Sequence, residues 1–121
     1  MDYSISVSED RKYIFLKIKG DINKEAAMKQ NKEAHLLGRK EGINKYLVDM
    51  RESRNTDTIT EQYEFAYKDM HQADEIDNRA LVVIVTAEGD TSHDFIETVT
   101  RNSGMKVRMF KSMDEALEYI D

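Results

Sequence analysis

The 121-residue chain contains no cysteine, no proline and no tryptophan, and only five glycines. Without cysteine there is neither a disulfide framework nor a thiolate metal site, which suits a reducing compartment and makes the cytoplasm the expected location. Without proline, and with no low-complexity tract or internal repeat, nothing marks a linker, so residues 1–121 are read as a single domain. Two of the glycines, Gly42 and Gly104, stand where helices should stop, which leaves little backbone freedom for a phosphate-cradling loop. Long apolar runs are missing as well: Ala80 to Val85, the longest, falls far short of the ~20 residues of a membrane helix. Met1 to Asp10 lacks the basic start and apolar stretch of a secretion signal. Neither secretion nor membrane insertion is expected.

Positive charge is in deficit, with 18 Lys plus Arg against 24 Asp plus Glu and a net charge of −6. Residues 1–48 hold ten basic and seven acidic side chains, whereas residues 49–121 hold eight and 17. The second part would repel a phosphate backbone, and no basic stripe is interleaved with aromatics, so nucleic acid is not an expected partner. Lys24, Lys29, Lys32, Arg39 and Lys40 are mixed with Glu25, Glu33 and Glu41, which reads as a solvated helix face.

What is present is strong periodicity. Tyr3, Ile5 and Val7 alternate with serines, and Ile14, Leu16 and Ile18 share one face of a second strand that Gly20-Asp21 should end. Ser8 to Arg11 reads as the turn between them, so the pair forms a hairpin. From Asn23 the spacing becomes helical through Ala27, Ala34, Leu37 and Gly38, with Gly42 as a left-handed cap. Tyr46-Leu47-Val48 is a short buried strand stopping at Asp49, and Arg51 to Thr58 is read as a polar, mobile loop. Ile59, Tyr63, Ala66, Met70 and Ala73 recur at helical spacing. Ala80 to Val85 has the uniform apolar character of a central parallel strand, expected to be the most buried one. Asp90-Thr91-Ser92 opens a helix with Phe95, Ile96 and Val99 inside and Gly104 as its stop. Met105, Val107 and Met109 then alternate with Lys106 and Arg108, as on an edge strand. Ser112 to Glu115 is a capping box, followed by Ala116, Leu117 and Ile120 on the buried face of a last helix. The order is ββαβαβαβα. Right-handed crossovers then imply an α/β fold with a mostly parallel five-stranded sheet, an N-terminal antiparallel hairpin and four helices. The carboxyl ends of the parallel strands gather on one edge, where α/β sheets place their sites.

This order, with Tyr46-Leu47-Val48-Asp49 ending the third strand and Val107-Arg108-Met109-Phe110 leading into Asp114-Glu115-Ala116-Leu117-Glu118-Tyr119-Ile120, resembles the STAS superfamily. Within it the SpoIIAA-like (STAS/SEC14-like) proteins are the nearest branch, and the resemblance covers essentially the whole chain. In the anti-sigma factor antagonists of that superfamily, a strand-ending Asp is followed by a loop and an Asp-Ser-Ser-Gly type motif, whose serine is phosphorylated at the start of the second helix. The matching stretch here, Arg51 to Thr60, has no such motif. Ser53 and Thr58 are therefore read as cap and loop residues.

Other constellations are thinner. Asp49, Thr86-Ala87 and Lys111 imitate the phosphoacceptor set of a response-regulator receiver, but such domains need an acidic pair after the first strand and five βα units, whereas this chain offers only Asp21 and four units. Asp21, Asp49, Glu88 and Asp90 are acidic residues of the carboxyl edge that suit a hard cation, yet loop solvation and capping explain them as well. His35, His71 and His93 share no ligand spacing and are read as helix-surface residues; His93 and Glu97 stand four apart without a third ligand. No Gly-x-Ser-x-Gly elbow exposes a nucleophile. Met70, Met105 and Met109 fall on core faces. Phe65 and Tyr67 flank the inner stripe of the second helix, as core edges or as the lining of an apolar groove.

The reading that follows is a non-catalytic STAS-like binding or regulatory domain. It acts through the carboxyl-edge loops and second helix, with Asp49, Arg51, Ser53, Arg54, Thr58, Glu88 and Asp90 as the candidate binding residues. Another protein is the expected partner, and no cofactor or metal is expected. The alternative is a carrier of a small apolar or lipid-like ligand, implied only by the resemblance; a receiver-like phosphoacceptor or an enzyme ranks third.

Overall fold

A computed structural model of the protein describes residues 2–56, 58–65, 79–102 and 104–121. The first tight turn explains the start of the sheet. Ser8 and Asp10 together accept from the backbone N–H of Lys12 at 3.1 Å, and Ser8 N–H donates to Tyr13 O at 2.9 Å. Arg11 takes up a left-handed φ of 60° to close the loop. This joins β1 (Asp2–Val7) to β2 (Ile14–Ile22) as an antiparallel pair.

The chain continues through α1 (Lys24–Glu41), β3 (Lys45–Asn55), α2 (Ile59–Glu64), β4 (Leu81–Thr86), α3 (Asp94–Asn102), β5 (Lys106–Phe110) and α4 (Met113–Ile120). The five strands lie in the order β1-β2-β3-β4-β5, and every pairing after the hairpin is parallel. Among the described residues the expected α/β architecture and element order are therefore observed. Asn23 caps α1 by accepting from Ala26 N–H at 2.9 Å, and Gly42 ends it at φ 71°, a conformation open to glycine at no steric cost.

Alternate residues face opposite sides of the sheet, and the two sides have separate cores. Leu16, Ile18, Val48, Ile84 and Val107 meet Ala27, Phe65 and Ile96 beneath α1, α2 and α3. Leu47, Val83 and Val85 meet Ala116 and Ile120 of α4 on the other side.

Several expectations need correction. The segment Arg51 to Asn55 is not a loop: β3 runs on through it, paired with Lys19 to Ile22 of a β2 that likewise continues past Gly20-Asp21. Between the pairs Lys17–Asp49 and Lys19–Glu52, two residues of β3, Met50 and Arg51, oppose one of β2, Ile18, a bulge that breaks the alternation. Ala80 to Val85 is an interior strand as expected, with Val83 and Val85 fully buried, but β3 is the middle strand of the sheet. The helix after β4 starts at Asp94 rather than at residues 90–92. Leu117 is exposed rather than buried. Phe65 belongs to the core. His35 and His93 are both buried, not on the surface, His35 stacking on Tyr46 with ring centroids 4.2 Å apart. Of the second helix, α2 carries Ile59 and Tyr63, while Ala66, Tyr67, Met70, His71 and Ala73 lie outside the described residues.

Candidate functional site

The carboxyl edge is built around an overhang. Strand β4 ends at Thr86 opposite Met50, so beyond that point β3 has, among the described residues, a strand neighbour on the β2 side only. Side chains from the loop after β4 take the place of the missing strand. Asn55 N–H donates to Ser92 Oγ at 3.0 Å, and His93 Nε2–H donates to Ser53 O at 3.1 Å. That contact fixes the His93 tautomer, because a carbonyl oxygen only accepts.

The same loop positions Asp90, which is buried and accepts from Ser92 N–H at 2.9 Å. This Asx turn re-aims the chain so that Ser92 and His93 reach β3. Arg54 Nη1 lies 3.9 Å from Asp90 Oδ1, with the arginine side chain 71% exposed. Lys111, after β5, donates to the Asp90 carbonyl and sits 3.6 Å from Asp94 Oδ1. Burial pushes the Asp90 carboxyl up, but the Ser92 hydrogen bonds and the nearby His93 and Arg54 outweigh it and hold the carboxyl below its usual range. Ser53 Oγ and Thr86 Oγ1 are buried and have no hydrogen-bond partner among the described residues.

His93 is 1% exposed, and burial pushes its imidazole pKa down, against the raising effects of the Ser53 carbonyl and Asp90. The folded chain therefore binds fewer protons at this site than the unfolded chain between the folded pKa and the ordinary histidine value. Stability from this site is complete above about pH 6.5 and declines as pH falls below it. Thermal melts should show a lower melting temperature at pH 5.5 than at pH 7.5. His93→Gln, which keeps a donor for Ser53 O, should flatten that slope; an unaltered slope would mean that another group carries it.

The candidate residues thus separate. Ser53, Arg54 and Asp90 come together, joined by Asn55, Ser92 and Lys111, residues of the carboxyl-edge loops that are not among the candidate binding residues, and by His93, which lies outside those loops. An Asp-x-Ser turn signature at Asp90-Thr91-Ser92 was the one available signal. Asp49 lies mid-strand among residues facing α4, where it is 2% exposed and held by Arg51 Nε and Nη2, both at 2.9 Å. Burial alone would raise its carboxyl, but the Arg51 side-chain and backbone hydrogen bonds carry it below the usual range. Asp49 pairs with Val85, so Thr86 faces the other side of the sheet and the receiver-like set is not assembled. Thr58 is the N-cap of α2, in a full capping box with Glu61 at 3.1 and 2.9 Å. Glu88 is exposed in the loop after β4. Among the described residues, no group of three acidic or histidine side chains is placed to hold a metal ion, and no helix is long and apolar enough to cross a membrane.

Beneath the edge, an apolar cavity of 80 Å³ lies between the sheet and the helices, lined by Ile22, Phe65, Ile84, Ile96 and Met105 and reached by His93. It is smaller than the ~150 Å³ that accommodates benzene in an engineered core.

No family model matches the chain, and no curated protein does. Among solved structures, a protein of the DUF3478 family from Shewanella loihica PV-4, described as having a SpoIIAA-like fold, is similar over 99% of this chain and 93% of its own, with 18% identity and a TM-score of 0.58. That likeness agrees with the element order, the antiparallel hairpin and the parallel remainder of the sheet, and the chain accordingly has a SpoIIAA-like α/β fold.

Proposed function

We propose that this chain is a STAS-type binding domain of the cytoplasm that works without catalysis, through protein–protein contacts at the carboxyl edge. The observation that carries the reading is the β3 overhang: a short segment standing beyond its neighbour strand, with Arg54 extended into solvent above a ledge fixed by Asp90, Ser92 and His93. A rigid strand end presenting an exposed arginine is a preorganised recognition element, and arginine is a residue that recurs at interaction hot spots. Two groups with acid–base potential are engaged in holding this ledge, His93 on the Ser53 carbonyl and Asp90 on Ser92, while Asp49, away from the ledge, is engaged by Arg51.

The cavity beneath the edge favours a second reading, carriage of a small apolar ligand, but its volume supports a molecule of a few heavy atoms rather than a lipid chain. The two readings separate in one purification. Wild-type protein should retain a protein partner that Arg54→Glu loses at unchanged melting temperature. Native mass spectrometry showing a bound small molecule, with no protein retained, would favour the carrier instead.

A further inference from the structure

The described residues cover only part of the sheet face opposite the cavity. Helix α4 packs over β3, β4 and β5, leaving the hairpin side of that face open beside it. There Tyr13, Phe15, Leu47, Met113 and Leu117 line a groove of 550 Å³. Leu117 is 36% exposed on the groove wall, although its neighbours Ala116 and Ile120 are fully buried.

Both banks of this groove are acidic. The formally charged residues that line it are Glu9 and Asp10, from the hairpin turn. At 100° per residue, the positions that follow Leu117 around α4 away from the sheet are Asp121, Asp114 and Glu118. Three cations stand close by: Lys12, paired with Asp121 at 2.5 Å, Lys45, whose Nζ donates to Ile120 O at 3.1 Å, and Lys17, two residues along β2 from Phe15 and 3.7 Å from Glu52. Six carboxylates, Glu52 included, against three ammonium groups leave the groove negative.

The geometry points to this groove as a docking site for an amphipathic helix of a partner protein, one whose apolar stripe is flanked by Lys and Arg. Leucine-sized anchors three or four residues apart would fill the space between Phe15 and Leu117, and the cations on either side of the stripe would meet the two acidic banks. The acidic banks repel nucleic acid and anionic membrane. A second copy is a poorer occupant: its basic helix, α1, offers Leu36 as its one large exposed apolar side chain, too few anchors to fill the groove. The site rests on the premise that the domain binds protein, but it lies on the sheet face and does not involve Arg54.

The test is a titration of the isotopically labelled full chain, followed by NMR, with a 15-residue peptide made of Leu at helical spacing and Lys elsewhere. A peptide with Glu in place of every Lys is the control. The Lys peptide should shift the resonances of Phe15, Leu47, Met113 and Leu117, and the Glu peptide should not. Leu117→Asp, and separately the pair Glu9→Lys with Glu118→Lys, should each weaken the affinity at least tenfold at unchanged melting temperature, while Arg54→Glu leaves it as it was. Equal affinity for the two peptides, shifts confined to the carboxyl edge, or affinity indifferent to both groove variants would overturn the proposal. So would sedimentation showing that the free chain self-associates and that Leu117→Asp abolishes the association, since the groove would then be a contact between copies.

Discussion

Gly38→Ala should lower the stability of the folded chain by about 2 kcal/mol, although the same change at an unconstrained helix position raises it by about 1 kcal/mol. The reason is the closeness of α1 to the sheet. A Cβ at residue 38 would lie 2.0 Å from Tyr46 Oη, 2.9 Å from Tyr46 Cζ and 2.7 Å from the backbone oxygen of Ile43. Tyr46 has little room to retreat, being 4% exposed and stacked on His35. Chemical denaturation would read the loss directly. Adding Tyr46→Phe removes the nearest of the three contacts, so the double variant should lose less than the two single losses combined. Strict additivity would show that Tyr46 is not the obstacle.

Exchanging Arg51 for Glu should cost about 2–3 kcal/mol, or roughly 10 °C in melting temperature, because it leaves the buried Asp49 carboxylate without its two guanidinium donors and brings a second negative charge beside it. The figure is set below that of a fully buried pair because the Arg51 side chain is 46% exposed and solvent screens part of the interaction. Arg54→Glu, three residues along the same strand, should stay within about 0.5 kcal/mol of wild type. Since Asp49 is held below the ordinary carboxylate range, its contribution is present above that range and vanishes as pH falls through the folded value. The gap between wild type and Arg51→Glu should therefore narrow below about pH 4. Equal and small effects of both arginine variants, measured by thermal melts, would refute the structural role of Arg51.

The contrast between these arginines marks where the sequence could be read and where it could not. The hairpin, the helical spacing of α1, the interior strand Leu81–Thr86 and the alternation in β5 each follow from a local period that tertiary packing then respected. The segment Arg51 to Asn55 looked like a loop because it contains no apolar residue. It is nevertheless strand, since one edge hydrogen-bonds to β2 and the other is met by the side chains of Ser92 and His93, residues about 40 positions away. The bulge hides the pattern further. Read without it, Ser53 and Asn55 would share the face of Leu47 and Asp49. The extra residue moves them to the cavity side, opposite Gly20 and Ile22 of β2. The burial of His35 and His93 had no local signal, because the stacking Tyr46 and the accepting Ser53 carbonyl belong to another element.

The overhang of β3 also bears on how the chain behaves in concentrated solution. An edge sealed by a strand stays sealed until the sheet unfolds, whereas this one is sealed by one hydroxyl and one imidazole. Loss of those two side chains would uncover backbone donors and acceptors along a short strand segment with the sheet behind it still folded, and such an edge is a template for pairing between molecules. Colloidal behaviour and folding stability are then governed by different residues, and a substitution at Ser92 or His93 can promote self-assembly of a domain whose core remains intact.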